Sequence, residues 1–197
     1  MTIRRGTTLS SRSIVGTGRP PRRRPGLRAI LLCAALATAA ILGAGPAAAQ
    51  SQQIGPSGLP LPRFASTKSS PVNIRMGPSR DHEIAWTFVK PGVPVEITQE
   101  FDVWLRIRDS EGAEGWVQKT LLSGRRTALV APWEKKGNTP LRQEPQPTAT
   151  IVAEVEPGVL VDIAECNGRW CRVSAEGTKG WIEQGRIWGA YPDEVFR

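Results

Sequence analysis

The chain contains very few of the residues that enzymes use as bases and metal ligands. Among its 197 residues there are one histidine and three cysteines. The histidine, His82, has Asp81 beside it, but two adjacent ligands are too few to close a tetrahedral metal site. The glycines fall at turn positions and form no phosphate-binding loop. Carboxylates without a recognisable catalytic context are ordinarily solvated surface charges. The composition therefore predicts a protein that is not an enzyme and that holds no metal and no cofactor.

The chain also lacks an apolar run long enough to span a membrane. The stretch from Ala29 to Leu42 is shorter than the roughly 20 residues that a hydrocarbon core requires. Eight arginines precede it and small residues, including Ala47 and Ala49, follow it, as in a secretion signal. Arg23-Arg24 is followed by proline and glycine, so both the Sec and the Tat route stay open. We expect residues 1–49 to be a cleaved signal peptide and the mature chain to be periplasmic or secreted, without a membrane anchor.

The excess of basic charge is confined to the predicted signal peptide. The whole chain has 26 Lys and Arg against 18 Asp and Glu, and eight of the basic residues but none of the acidic ones lie in residues 1–49. Basic and acidic residues are therefore equal in number in the mature part. Because nucleic-acid binding depends on clustered positive charge, a nucleic-acid partner is excluded.

A repeat of about 66 residues runs through the mature chain. Residues 75–122 align with residues 142–187, and the offset changes only from 67 to 65 along the alignment. The aligned blocks are Arg75-Met-Gly-Pro78 with Arg142-Gln-Glu-Pro145, Pro91-Gly-Val-Pro-Val-Glu-Ile97 with Pro157-Gly-Val-Leu-Val-Asp-Ile163, Trp104-Leu-Arg-Ile107 with Trp170-Cys-Arg-Val173, and Gly115-Trp-Val117 with Gly180-Trp-Ile182. A repeat of this length indicates two copies of one fold.

Each copy has the residue pattern of short β-strands. Branched residues alternate with other residues at Val93, Val95 and Ile97, and again at Val159, Val161 and Ile163. This period of two is typical of half-buried strands, and the preceding Pro-Gly pairs turn the chain. Because no helical stretch interrupts the strands, each copy is predicted to be a small barrel or sandwich, and closure of the sheet gives so short a unit a sufficient core.

The residues resemble those of bacterial SH3-like domains of exported proteins. The resemblance rests on Val72-Asn-Ile-Arg-Met-Gly-Pro-Ser79, the Pro-Gly-Val strands, Trp104-Leu-Arg-Ile107 and the Gly115-Trp-Val117 ending, with their downstream counterparts. Residues 121–130 and 188–194 are similar to those of a two-copy subgroup of alphaproteobacterial envelopes. The resemblance implies an all-β protein of two tandem SH3-like barrels with a binding role. Peptidoglycan and peptides are the ligands proposed for relatives.

The expected organisation has a signal peptide at 1–49, a disordered segment at 50–70, repeat 1 at 71–124, a connector at 125–137, and repeat 2 with a tail at 138–197. The segment 50–70 is rich in proline, glycine and serine, as disordered segments are. The connector contains the apolar stretch Ala128–Trp133. It is therefore predicted to be an ordered strand or interface element rather than a flexible tether.

Cys166 and Cys171 are the cysteines of the mature chain. Export places them in an oxidising compartment, and if the four residues between them form a hairpin loop, the two face each other and a disulfide forms. A two-residue turn at Asn167-Gly168 is the alternative, and it would pair Glu165 with Trp170 and leave the cysteines offset. The spacing is not that of a redox-active Cys-x-x-Cys pair.

Six of the seven tryptophans fall into two groups, and the seventh, Trp86, aligns with Val152 and is expected to be buried. Trp104 with Trp170, and Trp116 with Trp181, recur at equivalent positions, as core or barrel-end residues of a shared fold would. Three aromatic residues lie outside the repeated strands, at Trp133, Trp188 and Tyr191. We expect these three to pack the barrels together, and binding of an external ligand is the alternative.

Arg75 and Arg142 are the candidate ligand-binding cations. They recur at the start of the two copies, where each could hold a ligand carboxylate or be tied to an internal acid. A groove would lie between the loops at 79–83 and 100–103. The second copy departs from the first around Arg142, so the two barrels are not expected to share one ligand.

Two functions follow from these expectations. The first is an exported binding module of the cell envelope that contacts peptidoglycan or peptides. The second is a structural or assembly protein that binds a single envelope protein. A small barrel alone does not decide between them.

Overall fold

The computed structural model describes residues 53–197, and the predicted signal peptide with its cleavage site lies outside the described residues. These residues form two curled antiparallel sheets, each made by one copy of the repeat. The predicted all-β architecture of two tandem barrels is therefore confirmed. None of the helical segments within 53–197 has the length and hydropathy to traverse a bilayer.

The first barrel follows a small hairpin formed by β1 (Gln53–Ile54) and β2 (Pro60–Leu61). Its sheet has the order β5-β4-β8-β7-β6-β3-β9, and a 3₁₀ turn at Lys119–Leu121 joins β8 to β9. The strands are β3 (Arg63–Thr67), β4 (Val72–Arg75), β5 (Ile84–Phe88), β6 (Pro94–Phe101), β7 (Trp104–Arg108), β8 (Glu114–Gln118) and β9 (Leu122–Ser123).

The second barrel repeats this order as β12-β11-β15-β14-β13-β10-β16, with a 3₁₀ turn at Gln184–Arg186 before β16. A C-terminal strand, β17, pairs in addition with β13. The strands are β10 (Thr127–Val130), β11 (Thr139–Arg142), β12 (Ile151–Val155), β13 (Leu160–Asn167), β14 (Trp170–Ala175), β15 (Thr178–Glu183), β16 (Ile187–Trp188) and β17 (Val195–Phe196).

Each barrel closes around the branched residues of the alternating pattern. The first core contains Val72, Ile74, Val95, Ile107 and Val117. The second contains Leu141, Val161, Ile163, Val173 and Ile182. Equivalent positions of the two copies are thus buried in equivalent places, because side chains two apart on a strand point to the same side of the sheet.

Each barrel begins one strand earlier than the sequence predicts. The segment 50–70, expected to be disordered, contains β3, which pairs with β6 and buries Ser66 and Thr67 completely or nearly so. The connector, which was predicted to be an ordered strand or interface element, contains β10, which pairs with β13 as part of the second barrel. The buried residues of β3, Ala65, Ser66 and Thr67, are small, and their hydroxyls are hydrogen-bonded, Ser66 with Ser123 and Thr67 to the carbonyl oxygen of Lys90. Such a strand has no apolar alternation by which the sequence would reveal it.

The two barrels contact each other through β6 of the first and the residues after β16 of the second. Tyr191 donates a hydrogen bond of 2.8 Å to Oε1 of Glu96, and Arg108 donates two to Oε2 of the same carboxylate. Glu96 lies between Val95 and Ile97 on β6, on the opposite face of the strand, and the contact buries it to 3% exposure. Thr127 also donates to the carbonyl oxygen of Gly92 at 2.7 Å. Such polar pairing is what makes burial of a carboxylate tolerable.

The predicted disulfide between Cys166 and Cys171 is present. The two cysteines lie directly opposite each other in the β13–β14 ladder. The alternative register, in which Glu165 pairs with Trp170, is wrong, because Glu165 pairs with Arg172. Cys166 also lies opposite Phe196 of β17, so the bridge borders the strand that ends the chain.

We expect reduction of this disulfide to lower the free energy of unfolding by about 2 kcal/mol, because the bridge closes a short loop and restricts the unfolded chain only modestly. Urea unfolding with and without dithiothreitol measures the difference. The Cys166→Ser, Cys171→Ser double variant is the control and should not respond to reductant. Identical unfolding midpoints of the oxidised and reduced protein would contradict the expectation.

Candidate functional site

An outward-facing tryptophan lies between two arginines on the first barrel. Trp116 of β8 is directly opposite Arg75 of β4 on one side and Arg106 of β7 on the other. Its strand neighbours Gly115 and Val117 are buried, whereas Trp116 is half-buried. The three side chains therefore form a row on the outside of the sheet, which we call the Arg–Trp–Arg row.

The second barrel carries the same row. Trp181 of β15 lies opposite Arg142 of β11 and Arg172 of β14. The sequence-based expectation that Trp116 and Trp181 are core or barrel-end residues is therefore corrected to half-buried residues of the outer face. Trp104 and Trp170 are the buried pair, at 7% and 3% exposure.

Glycine sets the position of the row in both barrels. A Cβ on Gly115 would lie 2.5 Å from Cγ2 of Ile74, and a Cβ on Gly180 would lie 2.9 Å from Cβ of Leu141. The strand next to each glycine therefore approaches too closely for any side chain at that position. Since successive residues alternate across a sheet, the tryptophan that follows each glycine is presented outward.

Arg75 and Arg142 have the same structural role in their two barrels. The Arg75 guanidinium donates to the carbonyl oxygen of His82 at 2.6 Å, and that of Arg142 donates to the carbonyl oxygen of Ala149 at 2.8 Å. Each arginine thus holds the loop of its own hairpin, which joins β4 to β5 in the first barrel and β11 to β12 in the second. Among the described residues neither arginine is paired with an internal acid, which was one of the two alternatives. A guanidinium has five donors, so each keeps several for a ligand.

The second arginine of each row is paired with a glutamate. Arg106 binds Glu114 at 2.6 Å, and Arg172 binds Glu165 at 2.7 Å. Both arginines remain about half exposed, at 44% and 49% of the side chain. Exposed pairs of this kind contribute little to stability and exchange partners easily, so a ligand carboxylate can compete for either arginine.

The first barrel presents more apolar surface around its row than the second. Phe101, which is 57% exposed, meets the Trp116 ring edge to face at 6.5 Å between centroids. The equivalent residue of the second barrel is Asn167, whose side chain accepts hydrogen bonds from its own hairpin. Met76, beside Arg75, is 67% exposed. The face of the first barrel therefore combines aromatic, aliphatic and cationic groups.

The five residues that the sequence offers as candidates for ligand binding do not form one site. Trp188 and Tyr191 contact Phe64 of the first barrel, with ring centroids 5.0 and 4.7 Å apart. These two therefore pack the barrels together. Trp133 is 56% exposed and does not join them. Arg75 and Arg142 lie in separate barrels.

Trp133 lies in the connector, next to a glutamate that an ion pair holds in place. Arg186 donates to both carboxylate oxygens of the neighbouring Glu134, at 2.6 and 2.8 Å. These hydrogen bonds lower the pKa of the Glu134 carboxyl below its ordinary value and raise the pKa of Arg186. The ion pair fixes the chain on one side of Trp133, but the ring itself stays exposed.

Sequence reasoning missed Arg106, Arg172 and Phe101. The recurrence of Trp-x-Arg in both copies, at Trp104 and Trp170, is the signal that could have revealed the two arginines. In the part of the chain that the structure describes, no group of three or more histidine, cysteine or carboxylate side chains is placed to hold a metal ion.

Comparison with protein families gives a match to the bacterial SH3 domain over residues 68–124 and 135–189. Among curated proteins no match was found.

Solved structures similar to the chain include NlpC1 and NlpC2 from Trichomonas vaginalis and an NlpC/P60 family protein from Bacillus cereus. Their identities are 17%, 15% and 11%, their TM-scores are 0.28, 0.30 and 0.29, and each match covers 64% of this chain. The matched region spans 45%, 48% and 55% of the three structures, so the chain corresponds to about half of their length. These TM-scores are too low to carry a conclusion about this chain.

Proposed function

The chain belongs to the bacterial SH3 domain family, whose members are binding modules, and from that premise we propose that it is an exported, non-catalytic binding protein of the bacterial cell envelope. Its proposed ligand is peptidoglycan, recognised through the peptide part of the polymer. The observation that carries the proposal is the Arg–Trp–Arg row of the first barrel with Phe101 beside it.

The chemistry of the row suits a short peptide that bears carboxylates. An indole face and a phenyl edge accept aliphatic side chains, and guanidinium groups bind carboxylates in a bidentate manner. Peptidoglycan peptides combine small aliphatic side chains with free carboxylates. Arg75 and Arg106 flank Trp116, so a peptide lying across the ring can pair its carboxylates on either side.

Two features support the envelope as the proposed place of action. The disulfide between Cys166 and Cys171 fits an oxidising compartment, and the predicted signal peptide would deliver the chain there. In the proposed mature protein the basic and acidic residues balance, so binding would depend on the local row rather than on a general attraction to polyanions.

We expect the purified protein to sediment with cell-wall sacculi and Trp116→Ala to weaken this binding by roughly tenfold or more, because aromatic anchors dominate small interfaces. Trp181→Ala is the matched control, since it removes the equivalent ring from the less apolar face. It should change the bound fraction by roughly twofold at most. Protein remaining in the supernatant, measured by absorbance, gives the bound fraction.

Recovery of all the wild-type protein in the supernatant would remove the polymer as ligand. A single defined protein captured by cross-linking in the envelope would then favour the alternative function of a structural or assembly protein. Equal losses for Trp116→Ala and Trp181→Ala would contradict the preference for the first barrel while leaving the polymer as ligand.

A further inference from the structure

A cleft of about 510 Å³ lies beside β6 of the first barrel, away from the Arg–Trp–Arg row. Its apolar wall includes Phe64, Ile97, Leu105 and Leu122, and the exposed residues Asp102 and Lys119 border it. Among the residues described, no side chain forms a hydrogen bond or ion pair with the ammonium group of Lys119. We call this space the β6 cleft.

The second barrel has a strand in the equivalent place. β17 pairs antiparallel with the end of β13, where Cys166 lies opposite Phe196 and Asn167 opposite Val195. Phe196 packs against the apolar core of that barrel. The amide of Gln184 donates to the carbonyl oxygens of Tyr191 and Glu194, at 2.5 and 3.0 Å. The C-terminal residues of the chain therefore bind the second barrel as an added strand.

Cross-strand registers establish that the two places are equivalent. Glu100 lies opposite Leu105 in the first barrel as Cys166 lies opposite Cys171 in the second. The backbone N–H of Lys119 donates to the carbonyl of Val103, and that of Gln184 donates to the carbonyl of Arg169, both at 2.9 Å. Lys119 in the first barrel therefore occupies the position that Gln184 occupies in the second, where Gln184 binds the added strand.

In the first barrel this strand position is open. Within residues 53–197, no strand pairs with Glu100–Phe101 on the side opposite β7. The β1–β2 hairpin borders the cleft. Ser57 donates hydrogen bonds of 2.7 and 2.8 Å to the Glu100 carboxylate, Gly55 lies against the same carboxylate, and Leu61 packs into the first core, but neither strand of the hairpin pairs with the backbone of β6. The backbone edge of β6 at this point is left for another chain.

We propose that the β6 cleft binds an extended peptide segment of a partner protein, which adds to the end of β6 as β17 adds to β13. The arrangement is β-strand addition, in which backbone hydrogen bonds give affinity and side-chain contacts give selectivity. The peptide would pair with the backbone of Phe101, whose ring lies beside Trp116, but it needs neither the indole nor the arginines of the row, and this proposal does not rest on the peptidoglycan site.

The charges around the cleft define the peptide. In the second barrel Arg126 binds both carboxylate oxygens of Glu194 in the added strand, at 2.8 and 2.9 Å. The equivalent arginine, Arg63, is already paired with Glu100 at 2.6 Å. The peptide therefore needs no acid at that position, and Lys119 donates to its backbone carbonyls as Gln184 does.

Asp102 supplies the selectivity. It occupies the position of Gly168, where a Cβ would lie 3.5 Å from the carbonyl oxygen of Asp193 and 3.5 Å from Cγ2 of Val195. A bound peptide in the first barrel would therefore run past a carboxylate. This favours a basic residue at the position of Asp193, followed two and three residues later by apolar side chains for the wall of the cleft.

The probe that tests the proposal is an octapeptide with the sequence of residues 190–197 in which Asp193 is replaced by lysine and Glu194 by glutamine. We expect it to bind the purified full chain saturably, by fluorescence anisotropy of a labelled copy, and to protect the Glu100 and Phe101 amides from hydrogen exchange. Lys119→Ala should weaken binding roughly fivefold, while Lys179→Ala, on another exposed strand, should not.

Selectivity gives the decisive comparison. The lysine peptide should bind more tightly than one that keeps aspartate, and Asp102→Asn, which retains a residue suited to the positive φ of 51° at this position, should abolish the preference. The proposal is overturned if neither peptide binds at millimolar concentration, if protection appears at Cys166 and Asn167 instead, or if Lys119→Ala and Lys179→Ala behave alike.

Discussion

We expect Gly189→Ala to lower the free energy of unfolding by about 3 kcal/mol or more, because this glycine has both a left-handed backbone and no room for a side chain. Its φ is 143°, and a Cβ built there would overlap the carbonyl oxygen of Thr127 and lie 2.8 Å from Cα of Ala128. Both neighbours belong to β10, which lies between β13 and β16 and is mostly buried. Neither can move without opening the β10–β13 pairing.

The repeat supplies the matched control for Gly189. Gly124 follows β9 as Gly189 follows β16, but nothing lies within 4 Å of a Cβ built on Gly124. Gly124→Ala should therefore leave the midpoint of urea unfolding within about 0.5 kcal/mol of the wild-type value. If both variants unfold alike, the close approach of Gly189 to β10 is not the cause of the effect.

The position of Gly189 explains why the two copies end differently. After Gly189 the chain passes over the first barrel, where Tyr191 reaches Glu96, and returns to the second as β17. The guanidinium of Arg126 lies over the ring of Phe196, with Cζ of Arg126 at 4.1 Å from the ring centroid. The last residues therefore join the two barrels as well as completing the second, and a substitution that redirects them affects both contacts.

The sequence predicted the features that the two copies share. Alternating branched residues and Pro-Gly turns identified the strands that begin at Pro94 and Leu160, and the hairpin cysteines identified the disulfide. These features depend on neighbours along the chain or one strand away. Local patterns therefore determine them.

The features that the sequence did not predict depend on distant partners. From the alternation of β6 alone, Glu96 would face solvent. Its burial accompanies the hydrogen bond from Tyr191, which lies 95 positions later in the chain. β3 was missed because its buried residues, Ala65, Ser66 and Thr67, show no apolar alternation, and their burial depends on β6 and β9. The contact between the two barrels could not be predicted either. It occurs once, so the repeat offers no second copy of it for comparison.

Only part of the candidate site could be predicted from the sequence. Arg75 and Arg142 stood out because they recur, but a recurring tryptophan is equally expected in a core and on a face. The strand phase separates the two cases: in Gly115-Trp-Val117 the apolar valine and the glycine face inward, so Trp116 faces outward. Applied to the sequence, that alternation would have placed Trp116 and Trp181 on the surface.

The phenol of Tyr191 should remain protonated at alkaline pH until the barrels separate. Burial at the contact, and then the hydrogen bond to Glu96, raise the pKa of Tyr191 well above its ordinary value of 10.0. In the unfolded chain the phenol loses its proton near that ordinary value. The contact therefore contributes its full stability below pH 10, and this contribution is lost progressively as the pH rises above it.

Because Tyr191 is the only tyrosine in the chain, its ionisation can be followed directly by absorbance near 295 nm. We expect no tyrosinate signal at pH 10 to 11, then a rise that coincides with the change in tryptophan fluorescence as the barrels come apart. Tyr191→Phe keeps the ring against Phe64 but cannot ionise, and it leaves Oε1 of Glu96 without this donor. It should be less stable by about 1 kcal/mol at pH 7 and should lose the alkaline dependence. A wild-type phenol that titrates reversibly at its ordinary pKa, with the fluorescence unchanged, would mean that Tyr191 is not buried between the barrels in solution.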